Sequence, residues 1–253
     1  MLDSFASYMV LYVKIFRYCL QLHPARLYSP ANRHGNAGGG NFNTEREREK
    51  NMNTEITKDI AMKLNDPEWM LEHITIALQR SSDEELVKRP CDLDGIEQYL
   101  MLQGEAEGCH YSIKLTPELL SKAGIDENDA WSRAHENLSS DTQILSLADT
   151  VESMLGAEAV SPNDTKVPFH IVTNSGKYKG AACIMNRAAL KDFARKYDAN
   201  MLFVLPSSIH EMLVAPYSSR FELGELSEMV REVNEMQVHP NERLADRAYV
   251  LSL

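Results

Sequence analysis

A short run of polar side chains in the C-terminal half of the chain has the residue types of a hydrolytic site. Ser207, Ser208, His210 and Glu211 follow an apolar run that ends at Pro206. A serine nucleophile needs a base within hydrogen-bond reach and a third group that orients the base. On a strand, His210 and Glu211 would point to opposite faces, and no Gly-x-Ser-x-Gly elbow is present. The pattern therefore predicts a hairpin turn whose hydroxyls bond the local backbone, with a catalytic site as the alternative.

Metal binding is the second kind of chemistry that the sequence offers. Imidazole and carboxylate groups bind zinc and iron, and the candidate ligands are His170, His210, Glu211 and His239. None of them falls in a spacing such as His-Glu-x-x-His. Scattered histidines on strands and helix ends are the simpler interpretation, and we predict no cofactor.

Two neighbouring segments have a structural and a functional interpretation. Residues 174–180 (NSGKYKG) contain two lysines and several turn formers, which suit either a phosphate-binding loop or a connection between two strands. The Walker spacing is incomplete, so the connection is favoured. Cys183 lies among apolar residues, which predicts a buried thiol and not a nucleophile.

An acidic run near the C-terminus predicts one strongly charged helix face. Its carboxylates recur every three to four residues, at Glu222, Glu225, Glu228, Glu232 and Glu235. A solvated face is the default expectation. A docking surface for a basic protein is the alternative.

The apolar patterns around these side chains predict an α+β fold. Asp66 and Pro67 open a helix that we extend to residue 80, and residues 109–115 alternate as a strand. Capping residues predict helices after Thr116 and Asp126, and the apolar stripe predicts a third helix from about Thr142. The C-terminal half predicts strands at 169–173, 180–185, 201–205, 209–215 and 247–253, and helices before 201 and at 223–237. This order gives a mainly antiparallel sheet with helices packed on it.

Composition divides the chain into three parts. We expect residues 1–51 to be a disordered or non-native extension, residues 52–156 to be a mostly helical part with one strand, and residues 157–253 to be an α+β sheet part that shares one core with the preceding part. Residues 45–50 read EREREK, whose codons can be purine-only, so this tract resembles a translated ribosome-binding region before a start at Met52. A charged linker after a membrane-surface anchor and a folded extension are the alternatives.

The later part of the chain resembles a known family. The run VLPSSIHEMLVAP (204–216), followed by MVREVNEMQVHPNERLADRAYVL (229–251), is similar to a bacterial family known only as domain of unknown function 5688. Upstream similarity through LDGIEQYL, KLTPELLSKAGI and AWSRAHENL extends the resemblance to roughly residues 90–253. It implies a shared fold and no particular chemistry.

Charge and cysteine usage restrict the function classes. The net charge is −11, from 26 basic and 37 acidic residues, which argues against direct nucleic-acid binding. Lys14 and Arg17 interrupt the apolar run at residues 5–22, which is too short to span a bilayer. Four widely spaced cysteines suit a reducing cytoplasm.

We expect a non-enzymatic accessory or protein-interaction module of the bacterial cytoplasm. A hydrolase or metal-dependent enzyme using Ser207, Ser208, His210 and Glu211 is one alternative, and an acidic decoy that binds a nucleic-acid-handling protein is another.

Overall fold

Antiparallel pairing joins the strands into two sheets. The computed structural model describes residues 60–106, 109–155 and 169–253. The first sheet has a long central strand flanked by the others, and it contains β1 (Ile74–Arg80), β2 (Lys88–Pro90), β3 (Ile96–Ala106) and β4 (Cys109–Lys114). The second sheet has the order β5-β6-β8-β7-β9, formed by β5 (Thr142–Ser146), β6 (His170–Asn174), β7 (Met201–Pro206), β8 (Met212–Pro216) and β9 (Tyr249–Ser252). The fold class is α+β, as the sequence predicts, with two sheets in place of one.

One of the following α-helices lies before the first strand, and the others lie between later strands. They are α1 (Pro67–His73), α2 (Pro117–Ala123), α3 (Glu127–Asp141), α4 (Leu147–Leu155), α5 (Arg187–Arg195) and α6 (Leu223–Gln237). Asp66 caps α1 by accepting from the amides of Glu68 and Trp69, and Thr116 caps α2 in the same way. Gly124 ends α2 in the left-handed region, with φ of 69°. The capping residues Asp66 and Thr116 therefore predict these two helix starts correctly. Among the described residues, no helix is long and apolar enough to cross a membrane.

Two helices predicted in the N-terminal half are partly strands. The helix predicted to residue 80 ends at His73, and Ile74 begins β1. The spacing of Ile74, Ile76 and Leu78 also fits strand alternation, and β-branched side chains favour the strand once β3 offers a partner. In the same way Thr142 begins β5, and α4 begins only at Leu147. The prediction of a mostly helical part with one strand for residues 52–156 is therefore wrong, because β1 to β5 all lie there.

Two predicted strands in the C-terminal half are also wrong in type or in length. Residues Gly180–Met185 form a 3₁₀-helix, because small side chains there pack closely against β6. The strand predicted from residue 209 begins at Met212, so His210 and Glu211 lie in a loop. The prediction that His210 and Glu211 point to opposite faces of a strand is therefore wrong.

Buried side chains cover both faces of the second sheet. One apolar cluster joins the first sheet to the second and includes Ile76, Leu100, Val172 and Val204. A separate cluster packs the other face of the second sheet against α4 and α6. Strand β7 is thus buried on both sides, as its continuous apolar run predicts. The predicted extension (residues 1–51) and residues 157–168 lie outside the described residues.

Candidate functional site

The candidate catalytic residues lie together in one loop that solvent barely reaches. Pro206 pairs with Met212, so residues 207–211 connect β7 to β8 and form what we call the 207–211 loop. The exposed fractions are 3% for Ser207, 7% for Ser208, 5% for His210 and 1% for Glu211. The sequence therefore predicts the hairpin correctly, whereas the depth of its turn is a finding of the structure.

Hydrogen bonds inside the loop fix its backbone. The Ser208 hydroxyl accepts from the His210 amide at 3.0 Å. The Ser208 amide donates to the Glu211 carbonyl at 3.2 Å. These bonds close a compact turn of the kind that serine favours.

Other segments cover the loop and bond to it. The Thr173 hydroxyl of β6 donates to the His210 carbonyl at 2.9 Å. The Ile209 amide donates to the carbonyl of Glu242 at 2.8 Å. The Ile209 carbonyl accepts from the amide of Ala181 at 3.3 Å. The loop therefore connects the second sheet to the 3₁₀-helix and to the segment after α6.

The His210 ring is held as a neutral imidazole. Its Nδ1 atom accepts from the Lys179 amide at 3.1 Å, so the proton of the neutral ring lies on Nε2. Burial, and to a lesser extent the positive charge of Lys179, together lower the pKa of His210 to about 4. Nε2 lies 4.0 Å from Oε1 of Glu242. Because the ring is neutral near pH 7, this contact is not an ion pair there.

The Glu211 carboxyl is held in its protonated form. Its Oε1 atom accepts from the Ser207 hydroxyl at 3.3 Å. Within the part of the chain that the structure describes, its Oε2 atom is buried and has no hydrogen-bond partner. The pKa of Glu211 is raised to about 8, mainly by burial; within this net shift the bond from Ser207 acts to lower the pKa and the charge of Glu242 acts to raise it.

These contacts differ from those of a hydrolase triad. In a triad the serine hydroxyl donates to the imidazole, and a carboxylate orients the other ring nitrogen. Here the Ser207 hydroxyl donates to Glu211, the Ser208 hydroxyl receives a backbone amide, and a backbone amide occupies Nδ1 of His210. The arrangement can connect segments through neutral hydrogen bonds. A catalytic role for these residues stays a prediction.

The other candidate metal ligands lie elsewhere. His170 is opposite Val214 in the second sheet, and its Nε2 atom lies 3.3 Å from the Tyr197 hydroxyl. His239 is exposed and accepts the Asn241 amide at the start of a short 3₁₀-helix. In residues 60–106, 109–155 and 169–253, no three His, Cys, Asp or Glu side chains are arranged to hold a metal ion. Metal binding by these residues stays a prediction.

The turn before the 3₁₀-helix already uses its amides within the protein. Those of Lys177 and Tyr178 donate to Asn174, and that of Ser175 donates to Asp141. The amide of Lys179 donates to His210. This bonding matches the predicted strand connection more closely than a phosphate-binding loop, although 3₁₀-helix and not strand follows it. Cys183 is buried, and burial raises the pKa of its thiol to about 12, so it is the inert core thiol that the sequence predicts.

The acidic run forms the outer side of α6. Leu226, Met229, Val230 and Val233 are buried against the second sheet. All five carboxylates of the predicted face are exposed, at Glu222, Glu225, Glu228, Glu232 and Glu235. Met236, beside Glu235 near the end of the helix, is 58% exposed. The solvated face is therefore as predicted.

The fold and the loop define an antiparallel α+β protein with a neutral polar cluster enclosed at one end of its second sheet. Residues 83–252 match the family described as Family of unknown function (DUF5688). The chain belongs to this family, which confirms the resemblance found in the sequence. The search among curated proteins found no similar chain, and the search among solved structures found none either.

Proposed function

We propose that the protein is a non-enzymatic accessory module that binds a partner protein with a basic surface through the outer face of α6. The observation that carries this proposal is the division of α6 into two sides. Its apolar side packs on the second sheet, and its other side presents Glu225, Glu228, Glu232 and Glu235 to solvent. Opposite charges across an interface speed association and select the partner.

Apolar side chains near the carboxylates support a protein partner. Met236 is 58% exposed near the C-terminal end of α6, and Leu223 is 42% exposed at its start. Methionine is enriched in protein interfaces, where a flexible apolar side chain adapts to the partner surface. The surface therefore combines carboxylates that select a basic partner with apolar side chains that add to the affinity for it.

The enclosed loop supports the same proposal indirectly. Its serine, histidine and glutamate side chains bond to each other or to backbone groups of neighbouring segments. Such bonding explains their presence without a reaction. We place the protein in the bacterial cytoplasm, and this is supported by the free thiols of Cys91 and Cys183 in the described part of the chain.

Charge reversal on α6 tests the proposal. The full chain is used to capture proteins from a bacterial lysate, as wild type and as Glu225→Lys/Glu228→Lys/Glu232→Lys. We expect a captured protein that cross-links to α6, is lost in the triple variant and is released by about 0.5 M salt, where screening is strong. If that partner handles nucleic acid, the acidic-decoy alternative is favoured.

A second triple variant controls for net charge. Glu118→Lys/Glu136→Lys/Glu152→Lys makes the same charge change on exposed positions of α2, α3 and α4. We expect this variant to keep the partner. If both variants capture the same proteins as the wild type, or if nothing cross-links to α6, the proposal is wrong.

A hydrolase or metal-dependent enzyme is the second candidate, and one observation favours it. Glu211 is buried with one carboxyl oxygen unpartnered among the described residues, and its pKa is raised. Such groups are found at functional sites as well as in structural clusters. Stoichiometric metal in the purified protein, or ester hydrolysis lost in His210→Gln, would favour the enzyme over the interaction module.

A further inference from the structure

A cavity of about 330 Å³ opens between the first sheet and the segment that precedes the 3₁₀-helix. Strands β1 and β3 form one wall, and the C-terminal end of α3 forms another. Its polar lining includes Thr75, Gln103, Asn137, Asp141 and Lys179. This volume suits a small metabolite, because ligand pockets of proteins start at about 300 Å³.

Lys179 occupies an unusual position in this lining. Its backbone has φ of 52°, which a residue with a side chain adopts only when its surroundings hold it there. The bond from its amide to His210 is one such restraint. Its ammonium lies 3.5 Å from the Tyr99 hydroxyl, and Tyr99 is itself buried. Among the described residues, no carboxylate forms an ion pair with this ammonium.

A second lysine approaches the same tyrosine. The Lys114 ammonium lies 5.2 Å from the centre of the Tyr99 ring, and it is paired with the Glu84 carboxylate. Burial, and to a lesser extent the positive charge of Lys114, together lower the pKa of Lys179 to about 8. Desolvation beside a second cation is a recognised way to make a lysine nucleophilic near neutral pH.

We propose that Lys179 is a reactive amine that forms an imine with a small aldehyde or ketone bound in this cavity. The ammonium first loses a proton to water. The nitrogen then attacks the carbonyl carbon, and a carbon–nitrogen double bond replaces the carbonyl as one water molecule leaves. A neutral carbonyl compound suits the cavity better than a multiply charged anion, since Asp141 and Glu72 also line it. This activity is independent of the α6 surface.

Reductive trapping tests the proposal on the full chain. The protein is treated with propanal and cyanoborohydride, and the labelled lysines are mapped by peptide mass spectrometry. Lys191, which is exposed on α5, is the internal reference. At pH 7 a lysine with a pKa near 8 is about one-tenth deprotonated, whereas an ordinary lysine is less than about 0.1% deprotonated. We therefore expect Lys179 to be labelled at least about tenfold faster than Lys191 at pH 7, with a smaller ratio at pH 10.

Removal of the neighbouring charge provides the diagnostic variant. Lys114→Met takes away the second cation and should lower the Lys179 to Lys191 ratio at pH 7. The matched control is Lys122→Met, because Lys122 is also paired with a carboxylate, that of Glu118. This control should leave the ratio unchanged. The proposal is overturned if Lys179 is labelled no faster than Lys191 in the wild-type protein, a comparison that needs no variant to fold. It is also overturned if the ratio in folded Lys114→Met equals that of the wild type.

Discussion

At the scale of single residues, the 207–211 loop holds two titratable groups in their neutral forms. His210 loses its proton more readily than an ordinary histidine, and Glu211 keeps its proton to higher pH than an ordinary glutamate. Burial is the main cause of both shifts, because an apolar environment disfavours the charged form of either group. The two groups therefore make stability depend on pH in opposite directions: the His210 contribution rises with pH between about 4 and 6.5, and the Glu211 contribution falls as the pH rises toward about 8.

Glu211 should make the protein less stable as the pH rises from 6.5 to 8. In this window the carboxyl is ionised in the unfolded chain and still protonated in the folded protein, so folding takes up a proton. Stability that is present below the ordinary glutamate pKa is lost as the pH approaches the raised value. The free energy of unfolding should fall by about 1–2 kcal/mol across the window. Urea denaturation at several pH values should show this slope in the wild type and not in Glu211→Gln.

Two variants separate this effect from other sources. Glu225→Gln removes an exposed carboxylate of α6 and should keep the wild-type slope. His210→Gln should remove the rise in stability with pH that the wild-type ring contributes between about pH 4 and 6.5, where the unfolded chain binds a proton that the folded ring does not, and it should leave the slope above pH 6.5 unchanged. Equal slopes for the wild type and Glu211→Gln between pH 6.5 and 8 would contradict a buried, protonated Glu211.

The residue types of the candidate site are readable from the sequence, but their surroundings are not. Ser207, Ser208, His210 and Glu211 are adjacent in the chain, so their meeting follows from the turn. The groups that enclose them, Thr173, Lys179 and Glu242, are each about 30 or more residues away from His210. Only the tertiary fold brings these side chains together, and no local signal indicates it.

At the scale of secondary-structure elements, prediction succeeds where caps and long apolar patterns agree. The helix α6 has the predicted bounds, and β7 is the predicted buried strand. The errors at β1 and β5 occur where one apolar spacing fits both a helix and a strand, and pairing with β3 or β6 decides between them. The sequence does not indicate the 3₁₀-helix, because its run of small apolar residues resembles a buried strand.

Close packing of this 3₁₀-helix on β6 makes its first residue sensitive to substitution. A Cβ atom at Gly180 would lie 2.5 Å from the Thr173 hydroxyl and 2.6 Å from the backbone nitrogen of Asn174. A backbone atom cannot move away as a flexible side chain can. We expect Gly180→Ala to lower the free energy of unfolding by about 1–3 kcal/mol, measured by urea denaturation.

Gly176 supplies the matched control for this substitution. It lies four residues earlier in the same turn, and a Cβ atom there would meet nothing within 4 Å. Gly176→Ala should therefore change stability by less than about 1 kcal/mol. If the two variants have equal stability, the contact between the 3₁₀-helix and β6 is looser than the Cβ distances indicate.

At the scale of the whole molecule, the question is whether the parts on either side of residue 156 unfold together. The apolar cluster that contains Ile76 and Leu100 of the first sheet also contains Val172 and Val204 of the second. A shared cluster of this kind transmits the loss of packing in one part to the other. We therefore propose that residues 52–156 and 157–253 form one cooperative unit, as the sequence suggests.

Substitution of one buried valine in the second part tests this unit. Both tryptophans, Trp69 and Trp131, lie in the first part, so tryptophan fluorescence reports on the unfolding of the first part. Val204→Ala in β7 removes two buried methyl groups and should lower the unfolding free energy by about 1–3 kcal/mol. If the two parts form one cooperative unit, the urea midpoint measured by tryptophan fluorescence must shift as far as the urea midpoint measured by far-ultraviolet circular dichroism. Val250→Ala in β9 is the same change at a position that is 37% exposed, and it should shift both midpoints much less.

A fluorescence midpoint that stays at the wild-type value in Val204→Ala would mean that the two parts unfold independently. The cluster would then be a contact between two domains, and the 207–211 loop would stabilise only the second of them.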